Sequence, residues 1–391
     1  MKRRALLAAT LAPRLLRAQP RALRIGVLTD LTGRLSDATG RGSIEAVRLA
    51  AEEIGIATVG RPVEILSADI GRSPEFGIEA ARRWLDEDGV EAIVDIPDPT
   101  VATAVQALCR ARGRVALFTG PCMASLTGAA CAPTGVQWTI DSAAAAALGR
   151  VLTEAGAQRW FLVSAEDPWG HEVAAFLAAG LRAAGGVVTG TAPFQTGGEG
   201  LDVALALARA SKADAVALCA GAGEAAASLA RAGAQGLAAG QMLAAPMVSI
   251  TELFAMNPSV AAGAWVVLPF TWNSDDRTRA WARRFSARTG RMPGPYQIGA
   301  YEAACHYLRA AGDAGRADGL AVARRMRFAA IESAFTHGAR IRADGRVLRP
   351  LQVARVKSPG EITEPYDLLS VVRTLPADVV APENGCVLLP E

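Results

Sequence analysis

Six cysteines and three histidines are the side chains most able to do chemistry in this 391-residue chain. No C-x-x-C occurs among Cys109, Cys122, Cys131, Cys219, Cys305 and Cys386, which excludes a zinc ribbon and a thioredoxin-type redox pair. His171, His306 and His337 do not pair at helical or zinc-ligand spacing. No metal and no cofactor is expected. Cys122, in LFTGPCMAS, follows an apolar run that reads as a buried strand, where α/β enzymes place nucleophiles. Its other reading is a small residue lining a cleft. No G-x-S-x-G motif and no assignable histidine base accompany it, so a cysteine-dependent hydrolase using Cys122 is the alternative function. Cys131 in ACAPTG and Cys386 in ENGCVLL lie in loop-like segments and are the expected disulfide in an oxidising compartment. Cys109, Cys219 and Cys305 read as small core residues.

A second stretch raises the question of a cofactor. RIGVLTDLTGRLSDATGRGSIEAVRLAAEEI begins as a strand at Ile25–Leu28 and ends as an amphipathic helix. A dinucleotide fingerprint needs its first glycine directly after the strand. Here Gly40 and Gly42 follow Leu28 by about a dozen residues, and no Walker lysine follows. The stretch reads as a loop bordering a ligand cleft, with Leu31, Thr32, Gly33 and Leu35 near it. Asp30 has two readings, a local turn cap or a ligand contact.

The elements that position these residues form two series. Strands are expected at 24–28, 63–68, 91–95 and 114–118, with helices at 42–54, 74–87 and 100–111. Ser73-Pro74-Glu75 is a strong helix start. Further strands are expected at 159–164, 186–191, 214–219, 241–244 and 264–268, with helices at 141–156, 169–184, 200–210, 222–234 and 249–256. Residues 275–289, 295–313 and 317–328 read as helices, 341–345 as a turn and 351–356 as a strand. The alternation predicts α/β lobes with parallel-type sheets and helices on both faces. Crossings near 138–141, 268–274 and 341–350 predict a three-segment hinge, with a cleft facing the strand carboxyl ends.

Hydrophobic residues make up 51% and charged residues 20%, enough apolar side chain for a sizeable packed core. Residues 1–18 read as a secretory signal: a basic start MKRR, the apolar run ALLAATLA and a small residue at Ala18. Arg3-Arg4 also admits a twin-arginine reading, and Arg14 and Arg17 interrupt the apolar part. The segment carries five of the 41 basic residues and no acid, so without it 36 basic face 38 acidic residues, a net of −2. No basic stripe for nucleic acid remains. No later segment has 18 uninterrupted apolar residues.

The opening stretch resembles the first strand, loop and helix of type I periplasmic solute-binding proteins, the branched-chain amino acid receptors of ABC importers and their relatives. The resemblance continues through VEILSADIGRSPEFGIEAARRWLDEDGVEAIVDIPDPTVATAVQ, LFTGPCMASLTG and QWTIDS. It resumes at VSAEDPWGHEVAAFLAAGLRAAGG, LPFTWNSDDRTRAWARRFSARTGRMPGPYQIGAYEAACHYL and IRADGRVL. It implies two Rossmann-like lobes joined by a three-crossing hinge: 21–139 plus 273–342, and 140–272 plus 346–373, with 374–391 as a C-terminal tail. It implies a periplasmic, monomeric, non-catalytic receptor that closes around a small-molecule ligand and docks on an inner-membrane ABC permease. A ligand-sensing receptor domain is a related possibility. The implied ligand-binding residues are Leu35, Pro99, Thr100, Gly120, Pro121, Cys122, Met123, Trp169, Gly221, Phe270 and Trp272. Thr100 keeps a hydroxyl at a helix N-terminus suited to an anion. Pro99 stands where the family often has Ser, and Met123 where amino acid receptors commonly have Thr. With Trp169, Phe270 and Trp272 expected around the ligand, the resemblance points to an amino acid-like or carboxylate ligand with an apolar or aromatic body.

Overall fold

A computed structural model describes residues 21–71, 73–315, 318–377 and 386. Residues 1–18, read as a signal, lie outside them, as does the tail after Ala377 apart from Cys386.

The first lobe is built on a parallel sheet in the order β2-β1-β3-β4-β5. Its strands are β1 (Leu23–Thr29), β2 (Val63–Asp69), β3 (Ala92–Asp95), β4 (Val115–Phe118) and β5 (Gly135–Gln137). Between them run helices α1 (Gly40–Val59), α2 (Pro74–Arg83) and α3 (Pro99–Ala111). LRIGVLT and AIVD are almost wholly buried, as interior parallel strands covered by helices on both faces must be. Helix α1 extends past its expected end through a break at Gly55, whose φ of 66° interrupts the helical backbone. β5 was not anticipated: GVQ is too short to show a period.

The second lobe carries a seven-stranded sheet in the order β15-β14-β10-β9-β8-β6-β7. The strands are β6 (Arg159–Ala165), β7 (Val187–Phe194), β8 (Ala215–Cys219), β9 (Met242–Ala244), β10 (Trp265–Leu268), β14 (Leu351–Val356) and β15 (Leu369–Leu375). β14 and β15 run antiparallel at one side. Helices α4 (Ala145–Glu154), α5 (Pro168–Ala183), α6 (Leu201–Ala210), α7 (Ala222–Ala234), α8 (Ile250–Ala255) and α9 (Pro258–Ala261) complete this lobe.

The chain then returns to the first lobe with α10 (Asp276–Thr289), α11 (Pro295–Ala314) and α12 (Gly319–Phe328). A small sheet of β11 (Ile331–Glu332), β12 (His337–Ile341) and β13 (Val347–Leu348) follows. These short strands and β15 were missed, because two- to seven-residue segments among turns give little periodicity. Helix α11 is buried on nearly every face, between α1 and the sheet. Gly42 of the opening stretch serves this packing, whereas Gly40 turns the chain into α1 with a φ of 49°. A Cβ at Gly42 would lie 2.3 Å from the Gln297 amide of α11, so the residue must be small for α11 to approach.

The chain crosses between lobes after β5, after β10 and between β13 and β14. Among the described residues no helix is long and apolar enough to cross a membrane.

Candidate functional site

The loop after β1 is held by two carboxylates. Asp30 accepts hydrogen bonds from the backbone N–H of Gly33 (2.5 Å) and Leu35 (2.9 Å), and Asp69 accepts from Leu31 N–H (2.9 Å) and the Thr32 hydroxyl (2.8 Å). Asp30 therefore caps a local turn. The turn presents Arg34 and Leu35 to the second lobe. Arg34 Nη1 lies 2.6 Å from Oε2 of Glu224, a buried carboxylate at the start of α7 that also accepts Gly197 N–H at 3.1 Å. Leu35 Cδ2 lies 3.7 Å from where a Cβ would stand on Gly223. The two lobes thus meet across this loop. They meet again where Ala124 N–H, beyond β4, donates to Glu172 of α5 (2.9 Å).

Trp169 is set on the second lobe by the start of α5. Asp167 caps the helix by accepting Gly170 N–H at 2.7 Å, and Pro168 occupies its first turn. The half-buried indole lies directly on the backbone of Gly221, since a Cβ there would stand 2.3 Å from the ring. Trp169 and Gly221 are thus brought together as expected neighbours. The indole Nε1 is buried and has no protein partner. Gly221→Ala drives a methyl group into the ring. It is expected to lower the unfolding free energy by about 1–3 kcal/mol and to shift tryptophan emission. Denaturant unfolding followed by fluorescence checks this, and an unchanged midpoint and spectrum would contradict the contact.

In the first lobe the N-terminus of α3 carries a side-chain cap. Asp98 caps α3 by accepting Val101 N–H at 2.8 Å, and Pro99 contributes no N–H. The helix N-terminus beside the exposed Thr100 is thus capped by the chain's own carboxylate. Gly120, Pro121 and Cys122 are buried and Met123 half-buried. The Cys122 thiol is wholly enclosed and faces the Ile140 carbonyl at 3.8 Å. Burial, then the charge of Asp141, pushes its pKa far up. A buried neutral thiol is no nucleophile, which removes the hydrolase alternative.

Beneath both first-lobe loops lies Asp95, which sequence reasoning did not single out. It and Ile96 hold left-handed backbone, with φ of 84° and 60°. Such strain in non-glycine residues collects at functional sites. Asp95 is fully buried, with Oδ2 accepting the Thr29 hydroxyl at 2.6 Å and its carbonyl accepting Gly120 N–H at 3.1 Å. Burial pushes its pKa up to about 7, against the pull of hydrogen bonds from Thr29 and Thr119. The fold keeps a proton that the unfolded chain releases near pH 4, so this group's contribution to stability falls as pH rises from about 4 to 7. Asp95→Asn removes that dependence. The variant's melting temperature relative to wild type should rise between pH 5 and pH 8, and an unchanged difference would contradict the assignment.

Phe270 and Trp272 do not join Trp169. Each is 5% exposed and packed in the hinge. Trp272 Nε1 donates to the Tyr366 carbonyl (3.2 Å), and the Arg349 guanidinium lies 4.4 Å from the Phe270 ring centroid. In this structure both rings, with Pro269, pack the crossing after β10. The hinge also holds two buried ion pairs missed in the sequence. Arg346 Nη1 donates to Asp141 Oδ1 (3.0 Å), and Arg349 Nη1 to Glu302 Oε2 (3.0 Å). Their only sequence signal was a charge inside an otherwise apolar helical run, at Glu302. Cys131 and Cys386 form a disulfide, with Cα atoms 6.2 Å apart.

A family model described as periplasmic binding protein matches residues 22–361. No curated protein matches the chain. Among solved structures, the chain is similar to a periplasmic binding protein from Burkholderia mallei at 26% identity, covering 92% of this chain and 96% of that one, with a TM-score of 0.86. It is similar to a branched chain amino acid ABC transporter periplasmic ligand-binding protein from Burkholderia xenovorans LB400 at 29% identity, 91% and 96% coverage and a TM-score of 0.84. It shares its fold with a solute-binding protein of an ABC transporter from R. palustris in complex with benzoate, at 18% identity, 94% and 100% coverage and a TM-score of 0.80.

Proposed function

Because the chain belongs to the periplasmic binding protein family, we infer that it delivers a small solute to an ABC importer and holds that solute between its lobes against Trp169. The observation that supports the position is the Trp169 ring on Gly221, beside the turn into α7 where Gly223 and Glu224 meet Leu35 and Arg34 of the first lobe. The first lobe comprises 21–139 plus 273–342 and the second 140–272 plus 346–373. The ligand is a small carboxylate with an apolar or aromatic body. Support comes from the Trp169 ring and from the benzoate complex of one fold relative. The amino acid named for another relative is the second class. Recognition falls to Trp169 and to the backbone of 119–123, since Asp98 occupies the α3 N-terminus. Gly120, Pro121, Cys122 and Met123 shape that wall, and Leu35 closes it. Residues 1–18 direct the chain to the periplasm, and it acts as a monomer on an inner-membrane permease without turning anything over. Binding closes the lobes and stabilises the form the permease reads.

A thermal-shift panel of leucine, isoleucine, valine, benzoate and hydroxybenzoates tests this. A ligand at a hundred times its Kd stabilises the fold by about 2.7 kcal/mol. An aromatic acid should raise the melting temperature while the branched-chain amino acids leave it unmoved. A response to leucine alone would overturn the ligand class, and none from any member would overturn the class and the position together.

A further inference from the structure

We propose that the outer face of the hinge holds a second binding site, for a small organic carboxylate, separate from the interlobe cleft. A cavity of about 650 Å³ opens there, within the size range of ordinary small-molecule sites. Arg340 and Leu348 line it from the small sheet and Phe335 from the turn between β11 and β12, with Pro269, Gln352 and Thr374 from the second lobe. Its described walls include His337, Arg340 and Arg349 and no acidic side chain. Arg340 is exposed and supplies positive charge at the mouth. Arg349 is buried and supplies it at the floor, where Nη1 is engaged by Glu302 (3.0 Å) and Thr336 (3.1 Å). The exposed Arg340 presents a planar guanidinium fork that can meet a carboxylate at two points. Apolar Phe335, Leu348 and Pro269 in the same walls suit an organic body more than inorganic phosphate. Because the walls come from both lobes, an occupant would bias the hinge, and by linkage the cleft ligand would alter its affinity equally.

Titration with 4-fluorobenzoate, followed by fluorine NMR, tests the site in Trp169→Ala, a background impaired in the cleft. Saturable binding is expected below about 10 mM. Adding Arg340→Glu should weaken it at least about tenfold, whereas Arg340→Lys should keep most of it. Arg340 is exposed, so these variants leave the packing intact. Absence of saturable binding in Trp169→Ala, or binding indifferent to Arg340→Glu, overturns the proposal. Occupation by Asp378 or Glu383, which follow Ala377 in sequence, would leave the probe unbound and counts against it too. Failure here leaves the cleft reading untouched, because that reading is tested on Trp169 itself.

Discussion

Replacing Glu302 by alanine is expected to lower the unfolding free energy by about 3–5 kcal/mol, the loss typical of breaking a buried ion pair from one side. Glu302 is 1% exposed and gathers three donors: Arg349 Nη1 at 3.0 Å, Trp138 Nε1 at 3.3 Å and the Ser333 hydroxyl. Its removal strands a buried guanidinium whose remaining company is the Phe270 ring and the Thr336 hydroxyl. The companion charge is where the effect comes from, so Glu302→Met with Arg349→Met should recover much of the loss. Urea unfolding of the two variants measures both numbers. A loss below about 1 kcal/mol for Glu302→Ala would show that the pair is solvated and the hinge looser than described.

Cys131→Ser with Cys386→Ser, or reduction of the wild type, should produce the second large effect. The disulfide spans 255 residues of sequence. Loop-closure entropy for so long a loop stabilises the fold by about 5 kcal/mol at most. With an unfolding entropy near 2 cal/mol/K per residue, that corresponds to a fall in melting temperature of about 6 °C for a chain of this length. The four free cysteines are buried, so a reductant and the double serine variant should agree. A melting temperature unmoved by either treatment would mean that the unfolded chain is compact enough to lose little by the link.

Much of the fold was legible because parallel α/β lobes announce themselves. Interior strands such as LRIGVLT and AVALC are continuous apolar runs, and the helices between them carry caps and helical spacing. Trp169 and Gly221 were each legible as residues at a strand carboxyl end, and their contact was not. The hinge was less legible. Aromatics that pack a crossing and aromatics that face a ligand look alike in sequence, so the contacts of Phe270 with Arg349 and of Trp272 with Tyr366 were not legible. Partners such as Glu302 and Arg349, or Asp141 and Arg346, lie 47 and 205 residues apart, and no local pattern joins them. Asp95 escaped notice for a related reason. An acid at a strand end reads as exposed, and only the close approach of β1, β3 and β4 encloses it.

A calorimetric titration of wild type and Trp169→Ala with the strongest binder from the thermal-shift panel tests the central claim most directly. One tight site per chain is expected in the wild type. Loss of the half-buried ring should weaken that site by about 2 kcal/mol, roughly thirtyfold. Equal affinity in the two proteins would contradict the account, for it would place the ligand somewhere other than on Trp169 between the lobes.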